Sequence, residues 1–270
     1  MGKKTRIEWC DATWNPITGC FHRCEYCYAR RIAKRFSYEG QTLNAPLELQ
    51  GIWIKDKRGL APGLHVLRQE VRLKERDCVV PYPFGFSPTF HRYKLGEPMT
   101  WKEPLNIFVC SMADLFGEWV PEDWIGAVFD ACDAAPQHNY IFLTKNPARY
   151  IELNGKFDLR KDNWWFGTTV TTPNQAFLYA YTDSELHTFI SIEPMMEEFG
   201  HLEGARPDWI IVGAETGNRK GRITPERSWI DNLSAECKQW SIPLFMKDSL
   251  TKIVGEENMW REFPEGLIRP

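Results

Sequence analysis

Leu105-Asn-Ile-Phe-Val-Cys-Ser-Met112 is apolar almost without a break and gives way to polar residues at its end, Ser111 and then Asp114. A strand with one buried face alternates apolar and polar side chains. A continuous run of this kind reads instead as a strand covered on both faces, as in a parallel sheet. The signature recurs at 139–144, 164–169, 188–192 and 209–213, with a sixth run at 243–246. Helical patterns separate most of these runs. Residues 121–134 open on Pro121 with acids in the first turn, and 224–240 open the same way on Pro225 and Glu226. With a first strand expected in 5–19, ending near Gly19, the chain reads as α/β, a complete or partial (β/α) barrel of about 6–7 parallel strands.

Each run ends on residues that can do chemistry. Ser111, Met112 and Asp114 follow the first; Thr144 and Lys145 the next; then Thr169, Thr171 and Thr172; Ser191 and Glu193; Glu215 and Thr216; and Lys247 and Asp248. Barrel active sites are built at the C-terminal ends of the strands, so these residues are expected to face one mouth. A loop cap or a salt bridge accounts equally well for any one of them. The recurrence carries the reading.

The densest chemistry lies earlier, in Ile17-Thr-Gly-Cys20-Phe-His-Arg-Cys24-Glu-Tyr-Cys27-Tyr-Ala-Arg-Arg31. Three cysteines spaced x3 and x2, on a loop opening a helix, form a metal-binding signature, and thiolates are the ligands that iron–sulfur clusters take. Structural zinc wants a closed set of four. Zinc completed by His22 or Cys10 is the rival reading, without the second distant cysteine pair usual for it. Cys10, Cys78, Cys110, Cys132 and Cys237 are scattered singly in mostly apolar surroundings and read as buried core thiols. The start, Met1-Gly-Lys-Lys-Thr-Arg, is no signal peptide, so a cytoplasmic location with reduced thiols is expected.

At 270 residues the chain is expected to form a single domain over 1–270. Hydrophobic content of 43% with 26% charged residues is that of a globular chain, and no apolar run approaches the ~18 residues of a membrane span. The net charge of -3 argues against attraction of nucleic acid to the whole surface and leaves room for a local basic cleft. One basic concentration lies at 25–36, a helical pattern with Tyr28, Ile32 and Phe36 at four-residue spacing and Arg30, Arg31, Lys34 and Arg35 among them. It reads as a solvated face or as a contact for an anionic substrate or a reductase. Residues 37–104, punctuated by prolines, read as an inserted lid or substrate-binding segment. Within it 65–76 has the pattern of a short helix, and 79–86 is confined by its prolines to loop or sheet edge.

The cysteine spacing, with an aromatic Tyr26 just before the third cysteine, resembles the radical S-adenosylmethionine (SAM) enzymes. Stretches 7–20, 107–116, 135–138, 142–145, 191–194 and 209–215 are similar to a phage-associated, three-cysteine-motif family within that superfamily, and the match runs over most of the chain. That family often has a longer gap between its first two cysteines, whereas x3 is typical of the superfamily at large. The resemblance implies a [4Fe-4S] cluster on Cys20, Cys24 and Cys27 whose open iron chelates SAM, with Tyr26 near the adenine. Ser111-Met-Ala-Asp114 stands where the superfamily commonly has Gly-Gly-Glu, which implies that Ser111 and Asp114 meet the SAM amino group, with Thr169 and Glu193 as further cofactor contacts. Lys145, Glu193, Glu215 and Lys247 are the implied catalytic residues, binding SAM or substrate or moving protons. The implied reaction is reductive cleavage of SAM to a 5′-deoxyadenosyl radical that takes hydrogen from a substrate, here a base or nucleotide in phage DNA hypermodification. The implied partners are a flavodoxin- or ferredoxin-like reductant, DNA or a nucleotide, and a family partner protein, with no membrane, in the cytoplasm of an infected bacterial host. A peptide or small metabolite as substrate, and a non-catalytic iron–sulfur or zinc protein, are the competing readings.

Overall fold

A computed structural model of the chain describes residues 5–37, 63–73, 78–176, 186–200 and 206–267. In chain order these form β1 (Ala12–Trp14), β2 (Ile17–Thr18), α1 (Tyr28–Arg35), β3 (His65–Leu67), β4 (Thr89–His91), β5 (Asn106–Val109), α2 (Glu122–Asp133), β6 (Asn139–Thr144) and α3 (Ala148–Asn154). The chain continues with β7 (Trp164–Val170), α4 (Pro173–Ala176), β8 (His187–Ile192), β9 (Trp209–Val212), α5 (Arg227–Gln239), β10 (Leu244–Met246) and α6 (Thr251–Val254). Seven strands make an all-parallel sheet in the order β1-β5-β6-β7-β8-β9-β10. Neighbours in the sheet follow the order of the chain, so the winding never reverses as it does in doubly wound folds. The fold is α/β, of the partial (β/α) barrel kind. No helix among the described residues is long and apolar enough to cross a membrane.

Two compact units make up the chain. One comprises Met1–Ala12, Glu103–Phe108 and Gln137–Pro270, the other Thr13–Lys102 and Val109–Pro136. In the first, register puts alternate residues on one face. Ile141 pairs with Trp165; Leu143 pairs with Gly167, Gly167 with Phe189 and Phe189 with Trp209; one step further, Thr169 pairs with Ser191 and Ser191 with Ile211. The lower layers are aromatic: Trp9, Phe108, Trp165, Phe189, Trp209 and Phe245 form one buried cluster. Gly167 is required here, because a Cβ at this position would lie 2.2 Å from the Phe189 ring. The unit's long helix, α5, buries Ile230, Leu233 and Cys237 and stops where Ser241 turns left-handed (φ 55), with Ser241 N and Ile242 N donating back to Lys238 O and Cys237 O. Beyond it, residues 260–262 run antiparallel along β10: Met246 N donates to Trp260 O, and Glu262 N to Leu244 O. Arg261 there pairs with Glu8 (2.9 Å) and with Asp248.

The second unit holds a small sheet, β2-β4-β3, with β2 antiparallel and β3 parallel to β4. Its α2 opens after Pro121, with Glu122 and Asp123 at the positive end of the helix dipole. It buries Trp124, Ile125, Val128 and Phe129, the ring of Phe90 on β4 lying 5.1 Å from that of Trp124. Two expectations are corrected in this unit. The first barrel strand ends at Trp14 rather than near Gly19, because Pro16 breaks the run and Ile17–Thr18 pair with β4 in the other sheet. Where 65–76 has a helical pattern, His65–Leu67 is a strand, since pairing to β4 outweighs a weak local preference; residues 74–77 lie outside the described residues, as do 38–62 of the expected insertion.

Substituting Gly167→Ala is expected to lower unfolding free energy by about 1–3 kcal/mol, the usual cost of overpacking a filled core. Urea denaturation measures it, and a companion Phe189→Leu change is expected to restore part of the loss.

Candidate metal centre and strand-end residues

The cysteine loop is held from both sides. Asn15 Oδ1 accepts from Ser111 Oγ (3.1 Å) and Met112 N (2.9 Å), fixing the chain as it leaves β1. Gly19 has φ +87, donates to Met112 O at 2.9 Å and passes so close to Ser87 that a Cβ would stand 2.3 Å from its carbonyl oxygen. Cys20 N donates to Phe86 O at 3.2 Å. Arg23 takes a left-handed conformation (φ 58) without being glycine, at a cost of about 1–2 kcal/mol. Cys27 N donates to Cys24 O at 3.2 Å, and Cys27 then caps α1, its Sγ accepting from Arg30 N at 3.3 Å.

Between the first two cysteines, His22 Nε2 donates to Asp114 Oδ2 at 2.7 Å, and the edge of Trp119 packs on both His22 and Phe21. Asp114 is buried, and its other oxygen accepts from Phe116 N at 3.0 Å. Ser111 is buried too; its carbonyl accepts from Tyr28 OH at 2.6 Å. Tyr26 is half-buried. The three thiols are free and partly exposed. Burial pushes the Cys20 thiol up to about 12, and Asp114, Cys24 and Cys27 raise it further by their charges. Among the described residues no three His, Cys, Asp or Glu side chains converge as a single ion demands. A four-iron cube asks less convergence, because each iron takes its own thiolate at a separate corner.

Beneath this loop His91 is fully buried on β4. Its Nε2 lies 2.9 Å from Thr18 Oγ1, two residues before Cys20, and its Nδ1 lies 3.3 Å from Tyr93 OH. Burial, then the charge of Lys94, lowers its pKa from 6.5 to about 3. No local pattern marks this support, because burial of His91 is decided by the pairing of β4 with β2.

The other unit holds the strand-end residues. Glu193, just past β8, forms an ion pair with Lys247, just past β10. Gly213, at the end of β9, makes room for the lysine stem: a Cβ there would lie 3.1 Å from Lys247 Cδ and 3.3 Å from Ser249 Oγ. Thr169 and Ser191 pair directly across β7 and β8, and Ser191 Oγ is buried with no hydrogen-bond partner among the described residues. Lys145 is half-buried, after Thr144 Oγ1 has taken the Asn146 N–H at 2.9 Å. Glu215 is clasped by Arg219 through both carboxylate oxygens, at 2.7 and 2.8 Å, and Arg219 also donates to Gly221 O. Its geometry is that of a loop clamp.

Parallel strands in chain order, with polar residues at their C-terminal ends, define a partial (β/α) barrel protein. The chain belongs to the DUF5131 family, described as proteins of unknown function, whose model matches residues 4–253. No curated protein and no solved structure matches the chain.

Two outcomes follow for stability. A histidine whose folded pKa is depressed binds its proton in the unfolded chain first, so stability is lost as pH falls below about 6.5 and continues to fall towards about 3. From about pH 7 to about pH 5 the loss assigned to His91 is about 2 kcal/mol, and a His91→Gln variant is expected to lack it in urea titrations at the two pH values. Arg219→Ala removes a clamp on both oxygens of the buried Glu215 carboxylate and is expected to cost about 3–5 kcal/mol, whereas exposed Lys220→Ala is expected to cost under about 0.5 kcal/mol.

Proposed function

We propose that this protein is a radical SAM enzyme, with Cys20, Cys24 and Cys27 holding a [4Fe-4S] cluster and SAM bound at its open iron. The observation that carries this reading is the trio of partly exposed thiols on one short loop, pinned on two sides by backbone hydrogen bonds. When bound, cluster and SAM together supply one-electron reductive cleavage of the sulfonium, which yields a hydrogen-abstracting radical. The protein's own part is to place and to shield. Tyr26 packs by the adenine, and the Ser111–Asp114 segment takes the SAM amino group, a desolvated ammonium needing acceptors. The buried Asp114 carboxylate supports that role, with its tie to His22 linking the amine-binding segment to the cysteine loop.

At the strand ends Glu193 and Lys247 are the pair we assign to proton movement. A carboxylate and an ammonium in contact, half-buried, can exchange a proton with a third group without taking up bulk water. Glu215 contributes through its clamp on Arg219. The substrate we propose is a nucleobase or nucleotide, in the cytoplasm of a phage-infected host. Its support is the half-exposed aromatic run Tyr82, Phe84 and Phe86 abutting the cysteine loop through the Cys20–Phe86 hydrogen bond, since aromatic faces stack on bases.

Anaerobic reconstitution with iron and sulfide tests this directly. Wild-type protein is expected to bind about four irons, and each of Cys20→Ala, Cys24→Ala and Cys27→Ala to lose them. With SAM and a reductant, 5′-deoxyadenosine should form, stimulated by nucleoside, nucleotide or single-stranded DNA. Equal dependence of iron on Cys78, Cys110 or Cys237 would replace the reading with a four-thiolate electron-transfer centre, and stimulation by a peptide pool alone would overturn the substrate assignment.

A further inference from the structure

We infer that Arg30 binds a phosphate group of the substrate, holding a nucleotide by its charged end while the base lies against the aromatic residues of 82–86; the inference rests on the nucleotide reading above. Arg30 differs from the other cations of α1. Arg31, Lys34 and Arg35 are exposed, whereas Arg30 is half-buried, its guanidinium carbon 5.2 Å from the centroid of the Phe86 ring. Its Nε is sealed from solvent and has no hydrogen-bond partner among the described residues. No carboxylate among them pairs with it. Contact with a ring satisfies none of the five N–H donors of a guanidinium. The arginine is thus held in place without an acceptor, and Nη1 and Nη2 are left to meet one.

Charge and shape together select the ligand. A planar guanidinium matches two oxygens of one oxyanion through parallel N–H···O bonds. Arg30 also lies in the first turn of α1, at the positive end of the helix dipole, where a cation is disfavoured and an anion beside it is favoured. What surrounds the arginine favours a nucleotide's phosphate over the carboxylate of an acidic peptide. Phe86 belongs to the half-buried run with Tyr82 and Phe84, and the His65 ring stacks on Phe84 at 3.8 Å and 9°. Burial holds His65 below its ordinary pKa, so at neutral pH it is an uncharged flat ring that does not compete for the anion. One guanidinium beside uncharged aromatic faces suits a ligand with one charged end and one flat end, as a nucleotide has. Phe86 O accepts from Cys20 N at 3.2 Å, which ties this platform to the cysteine loop.

Calorimetric titration of the full-length protein with the four deoxynucleosides and their 5′-monophosphates is the test. Wild type is expected to bind at least one monophosphate about 10–100-fold more tightly than its nucleoside, the range of a charge-assisted bidentate pair. Arg30→Ala is expected to remove that preference while keeping the nucleoside affinity, which also reports an intact fold. Arg30→Lys should keep part of the preference, and Arg31→Ala all of it. Equal nucleoside and monophosphate affinities in wild type would overturn this inference alone. So would equal losses in Arg30→Ala and Arg31→Ala, which would make the effect that of a charged helix face, or loss of nucleoside binding in both Arg30 variants, which would make the residue structural. Dependence on Arg30 shown by a tetraglutamate peptide or by SAM, and not by the monophosphates, would assign the guanidinium elsewhere and overturn it too. A wild-type protein that binds none of the nucleosides or monophosphates would sink the nucleotide reading, and this inference with it.

Discussion

In a parallel sheet every strand must point the same way, and its side chains alternate faces with a period of two. Those two constraints order most of what lies in the larger unit. Once Leu143, Gly167, Phe189 and Trp209 share a layer, Thr169 and Ser191 must share the next. Glu193, Gly213 and Lys247 then follow just beyond the strands. Aromatic rings fill the lower layers so completely that Phe189 needs a glycine, Gly167, at its β7 partner position. Polar chemistry is left with one level of the sheet to occupy.

The cysteine loop is governed differently. It has almost no regular structure of its own and is positioned by borrowed hydrogen bonds: Met112 and Phe86 carbonyls for Gly19 and Cys20, and Asp114 for His22. Arg23 and Gly19 both take left-handed conformations, so the loop depends on its surroundings to hold that shape. Such dependence means that the scaffold sets where the thiols stand.

The strands were legible in the sequence because doubly buried strands write continuous apolar runs. Asn139–Thr144 was readable to the residue, and Trp164–Val170 and Trp209–Val212 to within one. Helices α2 and α5 were legible through their proline and acidic starts. Short strands were less so: Ala12–Trp14 lies within the expected first strand but ends earlier, and His65–Leu67 lies in a stretch with a helical pattern, because at three residues pairing decides. At the strand ends the sequence named Glu193, Glu215 and Lys247 alike. It had no means of telling that Glu215 closes on Arg219, four residues on, while Glu193 reaches across 54 residues to Lys247. Contacts of long range, such as His91 with Thr18, leave no local pattern.

The segment along β10 has a meaning beyond its hydrogen bonds. A sheet that stops short of closure exposes a row of unpaired backbone groups at its last strand, a template on which another chain can add. Residues 260–262 lie on that row in antiparallel pairing, and Arg261, held by Glu8 and Asp248, ties them to the start of the same unit. The last turns of the chain thus act as a selvedge, keeping the open sheet from growing into its neighbours.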